Sequence, residues 1–78
     1  MTLETWDEAV LRIVRAKAGP ILAREIYQEM ERHPLVTPHH REIWGSQPRY
    51  HHWIRSALAR LKNDRKVRHV GRSLYESA

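Results

Sequence analysis

The side chains with the most chemical reach in this chain are arginines and histidines that recur at helical spacing. Arg49, His52, Arg55 and Ser56 fall on one polar helical face. That set suits hydrogen bonding rather than bond breaking. Arginine presents a planar fork that pairs bidentately with phosphate or guanine, and serine can donate or accept. These four are the expected contacts to base edges. Arg60 and Lys62 follow on the same segment, and Arg68 and Arg72 lie beyond it. Those four suit phosphate oxygens, which fix position without reading sequence. The pairs His39-His40 and His51-His52 raise the question of a metal. Adjacent histidines on a helix point about 100° apart, and neither cysteine nor a Glu-x-x-His pattern accompanies them. Partial protonation, adding positive charge beside an anion, is the better use of these rings. Asp7, Glu8 and Asp64 do not form the Pro-Asp-x-Glu-x-Lys pattern of a nuclease, and no Ser/His/Asp arrangement is present. No catalytic residue, metal or cofactor is expected.

The charge that surrounds these residues is unevenly spread. The 78 residues carry 14 Lys plus Arg against 9 Asp plus Glu, a net charge of +5. Residues 1–33 hold five positive and six negative side chains, whereas residues 34–78 hold nine positive and three negative. Such a split within one domain implies one basic face and an anionic partner. Arginine outnumbers lysine eleven to three, which favours phosphate and guanine over diffuse attraction. With three glycines, no phosphate-cradling glycine loop is available, and with no cysteine there is no disulfide framework or thiol nucleophile. No apolar run approaches a membrane span and the N-terminus has no signal-peptide pattern, so the expected location is cytoplasmic.

One domain, residues 1–78, must position these groups. Thr5 and Glu8 read as a capping box opening a helix over residues 5–18, with Trp6, Ala9, Val10, Ile13, Val14 and Lys17 on one side and Gly19-Pro20 ending it. Ile21-Leu22 is a stub strand. Ala23 to Arg32 is a second helix, with Leu22, Ile26, Tyr27 and Met30 on one face and His33-Pro34 as its stop. Thr37-Pro38 can start a short helical turn, and Gly45-Ser46-Gln47-Pro48 is a break. From Pro48, placed at the first helical position with Ser46 or Gln47 as cap, to Asn63, the residues Tyr50, Trp53, Ile54, Ala57, Leu58 and Leu61 form an apolar stripe. Val67–Val70 and Leu74–Glu76 are strand candidates joined by Gly71-Arg72-Ser73. This α+β order is that of a winged helix-turn-helix: three helices, a stub strand after the first, and a C-terminal β-hairpin wing. The third helix would enter the DNA major groove, with the wing along the backbone.

Three tryptophans stand in a chain without phenylalanine. Trp6 and Trp53 are expected in the core. Trp44, in the loop before the third helix, can cover core edge or line a pocket, with Tyr50 and Trp53 as that pocket's floor.

The run Gln47-Pro48-Arg49-Tyr50, Trp53-Ile54-Arg55, Ala57-Leu58, Leu61-Lys62 and Val67-Arg68-His69-Val70-Gly71-Arg72-Ser73-Leu74-Tyr75 resembles the N-terminal winged-helix domain of Mrr-type restriction proteins and related winged-helix modules of modification-dependent restriction endonucleases. It covers about residues 35–76, and Ser73 stands where a wing glycine is common. Trp6, Gly19-Pro20-Ile21-Leu22 and Glu25-Ile26-Tyr27 resemble, less specifically, the HARE-type winged helix. The first resemblance implies a double-stranded DNA-binding specificity module of a prokaryotic restriction system, with the nuclease fused or partnered outside this chain. It also implies that a modified base, N6-methyladenine, is a candidate ligand, with Trp44, Tyr50 and Trp53 as its pocket. The abrupt end at Ser77-Ala78 fits a piece of a larger protein. The alternative is a transcriptional regulator, or a polymerase-associated or protein-interaction winged helix. Salt-sensitive duplex binding separates DNA binding from a purely protein-binding role.

Overall fold

Helix α1 (Trp6–Ala16) starts where its free N–H groups find acceptors: Thr5 Oγ1 accepts the Glu8 N–H at 3.1 Å, and the Glu8 carboxylate accepts the Thr5 N–H at 2.9 Å. The computed structural model in which this is seen describes residues 4–78. Ala9, Val10, Ile13 and Val14 form the buried face of α1. The helix stops two residues earlier than its pattern predicts. Lys17 is already extended (φ −82°, ψ 130°), because the chain must tighten toward Gly19, whose N–H donates to the Lys17 carbonyl. Gly19 has φ +124°, a conformation that side chains rarely adopt. Lys17, expected on the apolar side, is therefore exposed and reaches Glu25 at 3.5 Å.

Strand β1 (Ile21–Leu22) leads directly into helix α2 (Ala23–Glu31). The Glu25 carboxylate accepts the Leu22 N–H at 2.9 Å, and this bond holds the Glu25 pKa below the ordinary value. After α2, His33 Nδ1 accepts the Leu35 N–H, which leaves Nε2 to donate to Glu4 at 3.0 Å. A short 3₁₀ turn (Pro38–Arg41) opens with Thr37 before it and Pro38 first in it, as predicted. The segment predicted only as a break is a minimal hairpin, β2 (Ile43–Trp44) against β3 (Gln47–Pro48). Gly45, at φ +67°, occupies the positive-φ place that a two-residue turn requires.

Helix α3 (Arg49–Asn63) buries Tyr50, Ile54, Ala57, Leu58 and Leu61. Pro48 caps this helix from outside (φ −60°, ψ 148°) and does not occupy its first helical position. The reason is that Pro48 also closes the β2–β3 pair opposite Ile43. Trp53, expected in the core, is 41% exposed. At the C-terminus the Lys66 N–H reaches the Leu61 carbonyl and the Arg65 N–H the Lys62 carbonyl, with Arg65 at φ 61°. This is the Schellman arrangement, in which a left-handed residue lets the last carbonyls be satisfied.

Strand β4 (Val67–Gly71) and strand β5 (Leu74–Ser77) form an antiparallel hairpin turning through Arg72-Ser73. The order in the sheet is β1-β5-β4, so β5 is central, paired to β1 through Ile21↔Tyr75 and Leu22↔Leu74. The core lies between the three helices and this sheet, with Ile21 and Val67 joining Val10, Val14, Ile26, Met30, Ile54 and Leu58. Ile54 has no exposed surface. Truncating such a residue to alanine costs about 2–5 kcal/mol, a large share of the stability of a domain this small. Among the described residues, no helix is long and apolar enough to cross a membrane.

Candidate nucleic-acid interface

Alternation of 100° per residue on α3 sends His52 and Arg55 away from the buried stripe, into solvent, with Ser56 half-buried beside them. Two shallow depressions meet at Arg55. One lies toward the β2–β3 hairpin and is lined by Trp44, Gly45, Gln47, Pro48 and His52 as well as Arg55. The other, of about 510 Å³, runs toward the β4–β5 turn between Arg24, Tyr27, Gln47, Ser73 and Tyr75. Gln47 belongs to both, and its Oε1 accepts from Arg55 Nη2 at 2.9 Å. No carboxylate lines either depression. The carboxylates Glu4 and Glu8 instead line a shallow depression on α1.

The hairpin and the α3 face are bound together by aromatic contacts. Trp44, 56% exposed, stands edge-on to His52 with ring centroids 5.6 Å apart. The Arg49 guanidinium lies 4.8 Å from the centre of the Trp44 ring. Arg49 also donates to His39 Nε2 at 3.1 Å and sits 3.7 Å from a Glu42 carboxylate oxygen. Arg49 was expected at base edges. Its side chain is instead half-buried in a clamp that holds the loop to the start of α3.

Other expected contacts are redistributed. Arg60, read as a phosphate contact, turns to α1 and grips Asp7 through bonds of 2.7, 3.0 and 3.1 Å. That pairing raises the Arg60 pKa further above its usual value. Arg68 reaches across the hairpin to Glu76 at 2.6 Å, the residue opposite it in register. Lys62 and Arg72 are exposed and have no ion partner among the described residues. The pocket drawn from Trp44, Tyr50 and Trp53 is not assembled. Tyr50 is buried, edge-on to His51. Trp53 lies on the α1 flank of α3, 5.7 Å from Trp6 and 5.4 Å from His40 between ring centroids. The helical angle separates both from His52, so Trp44 alone borders the depression.

The histidines also differ from expectation. His51 stacks on Tyr27 at 4.1 Å, and burial, aided by Arg55, lowers its pKa from the usual 6.5. Burial, aided by His39, lowers that of His40. These two rings are packing elements, predominantly neutral at pH 7, not added positive charge. Among the described residues no group of three His, Asp or Glu is arranged to hold a metal ion.

Arg24 and Gln47 border the depressions, and neither stood out in the sequence as a site residue. The Ala23 N–H donates to the Ser73 carbonyl at 2.8 Å, and this contact brings the start of α2, with Arg24, beside the hairpin turn. No local pattern signals it. Comparison with known proteins finds no matching family model, curated protein or solved structure.

Proposed function

We propose that this chain is a winged-helix domain that binds double-stranded DNA, with α3 in the major groove and β4–β5 as the wing. The observation that carries the reading is the carboxylate-free surface running from Trp44 through His52 and Arg55 to Arg24 and the Ser73 turn. Three helices with a β1-β5-β4 sheet support it, because this order sets a hairpin beside the third helix. The base-reading group is Arg55, with His52 and Ser56 as its neighbours. Arg24, Lys62 and Arg72 take phosphates. Three such cations would give a slope of log affinity against log salt of about −3. The restriction-system context and the reading of N6-methyladenine rest on the resemblance to Mrr-type domains. For the methylated base, Trp44 offers the apolar surface. One methyl contact is worth about 0.8 kcal/mol, so discrimination through a single contact stays modest.

The test is fluorescence anisotropy with unmodified, adenine-methylated and cytosine-methylated duplexes at two salt concentrations. Salt-sensitive binding that Arg55→Ala weakens by about 1–3 kcal/mol supports the reading. Absence of duplex binding at low salt, or affinity unchanged by Arg55→Ala, overturns it. Equal affinity for methylated and unmodified duplex removes the methyladenine proposal alone.

A further inference from the structure

We propose that the free edge of β4, with the apolar groove between it and the end of α3, docks a short extended acidic segment of a partner protein. β4 has β5 on one side and, among the described residues, no strand on the other. The Lys66 carbonyl accepts the Ala78 N–H. Antiparallel alternation therefore turns the backbone groups of Val67 and His69 away from β5, toward an incoming strand. Beneath this edge lies a groove of about 480 Å³ bordered by Lys62, Arg65, Val67, Arg68, His69, Val70 and Ala78. Val70 is 43% exposed at the register shift between His69 and Gly71, which presents it to the groove mouth.

The rim decides the occupant. Lys62, Arg65 and Lys66 are exposed and have no ion partner among the described residues. A second copy adding its own β4 would bring Lys66 and Arg68 against like charges, which disfavours self-pairing. A DNA backbone offers phosphates to the rim but no aliphatic side chain long enough to fill the groove floor. A strand alternating carboxylates with aliphatic side chains satisfies edge, floor and rim together, as strand addition generally does. The register shift limits pairing to a few residues and predicts weak, reversible docking. This site shares Lys62 and strand β4 with the proposed duplex surface, but it rests on the β4 edge and the groove and does not involve Arg55.

The test uses the 78-residue chain and a short fluorescein-labelled peptide of alternating glutamate and valine, with a lysine–valine peptide as control. Anisotropy should show binding of the acidic peptide alone, and backbone amide shifts should centre on Val67 and His69. Val70→Asp should weaken binding by about tenfold or more, since it removes apolar contact and adds a repelling carboxylate. Arg65→Gly, which removes a rim charge at a position that favours glycine, should weaken it without loss of fold. Arg55→Ala should leave it unchanged, which separates this site from the proposed duplex surface. Equal binding of the basic peptide, shifts lying away from β4, or protection of the same amides by duplex DNA would each overturn the proposal.

Discussion

Replacing Arg65 with glycine should make the protein more stable, although it deletes a side chain and adds backbone freedom. Arg65 holds φ 61° so that its own N–H and that of Lys66 can satisfy the last carbonyls of α3. A residue with a Cβ pays about 1–2 kcal/mol for that conformation. Glycine avoids this but costs about 0.4–1 kcal/mol through its freer unfolded state. The net gain is about 0.5–1 kcal/mol. For a domain of this size each kcal/mol moves Tm by about 4–8 °C, so Arg65→Gly should raise it by about 2–8 °C. Thermal unfolding by circular dichroism or calorimetry reads the shift. Arg65→Ala is the essential companion, since it removes the same charge next to Lys66 but retains the Cβ. Alanine should give little or no gain. If alanine and glycine stabilise equally, relief of charge repulsion is the cause and the backbone reasoning fails. A fall in Tm for glycine would refute it outright.

Ser73, at φ 55° in the β4–β5 turn, should respond to Ser73→Gly in the same direction, by about 0.5–1 kcal/mol in chemical denaturation. The Asp7–Arg60 pair is exposed, so a double-mutant cycle on stability should give a coupling of no more than about 1 kcal/mol, and Arg60→Gln should reduce duplex affinity far less than Arg55→Ala. Glu4 is held near pKa about 2 by Arg12 and then His33, against 4.5 for the free group. The unfolded chain therefore takes up that proton first: the contribution is present above about pH 4.5 and is lost as pH falls toward 2. Acid unfolding of Glu4→Gln should be correspondingly flatter across that window. The lowered His51 pKa has a parallel consequence near neutrality, since the unfolded chain binds the proton more readily. Stability should fall as pH drops through 6.5, and a His51→Phe variant should show a smaller fall in a urea titration at pH 7 and pH 5.5.

What could be read in the sequence was whatever repeats locally. The stripe of Tyr50, Ile54, Ala57, Leu58 and Leu61 has helical period, and the Thr5–Glu8 box is a three-residue signal, so α1 and α3 were both legible. Trp53 has the same spacing but sits at the margin of the stripe, where a few tens of degrees decide between core and flank. Only the position of Trp6 and His40 settles that. The β2–β3 hairpin escaped because two-residue strands have no period to detect. The ion pair of Arg60 was invisible in the sequence for a different reason. Its partner Asp7 lies 53 residues earlier, and a charge pattern along a helix cannot show which cations another helix will neutralise. The candidate interface was thus half legible. His52, Arg55 and Arg72 kept the exposure their spacing predicted, while Arg49, Arg60 and Arg68 were drawn into contacts that only the assembled fold creates.

The hydrogen bond from the Ala23 N–H to the Ser73 carbonyl ties the first turn of α2 to the tip of the last hairpin. Together with the pairing of β1 to β5, it gives the hairpin two anchors on the segment that becomes α2. The hairpin is consequently geared to the helix: it cannot tilt toward or away from α3 without dragging the start of α2 or breaking that bond. A load applied at Arg72 is delivered to α2 rather than dissipated in a free-swinging loop. The Ala23 amide becomes a natural strain gauge, since its exchange with solvent hydrogen reports whether α2 and the hairpin are still coupled.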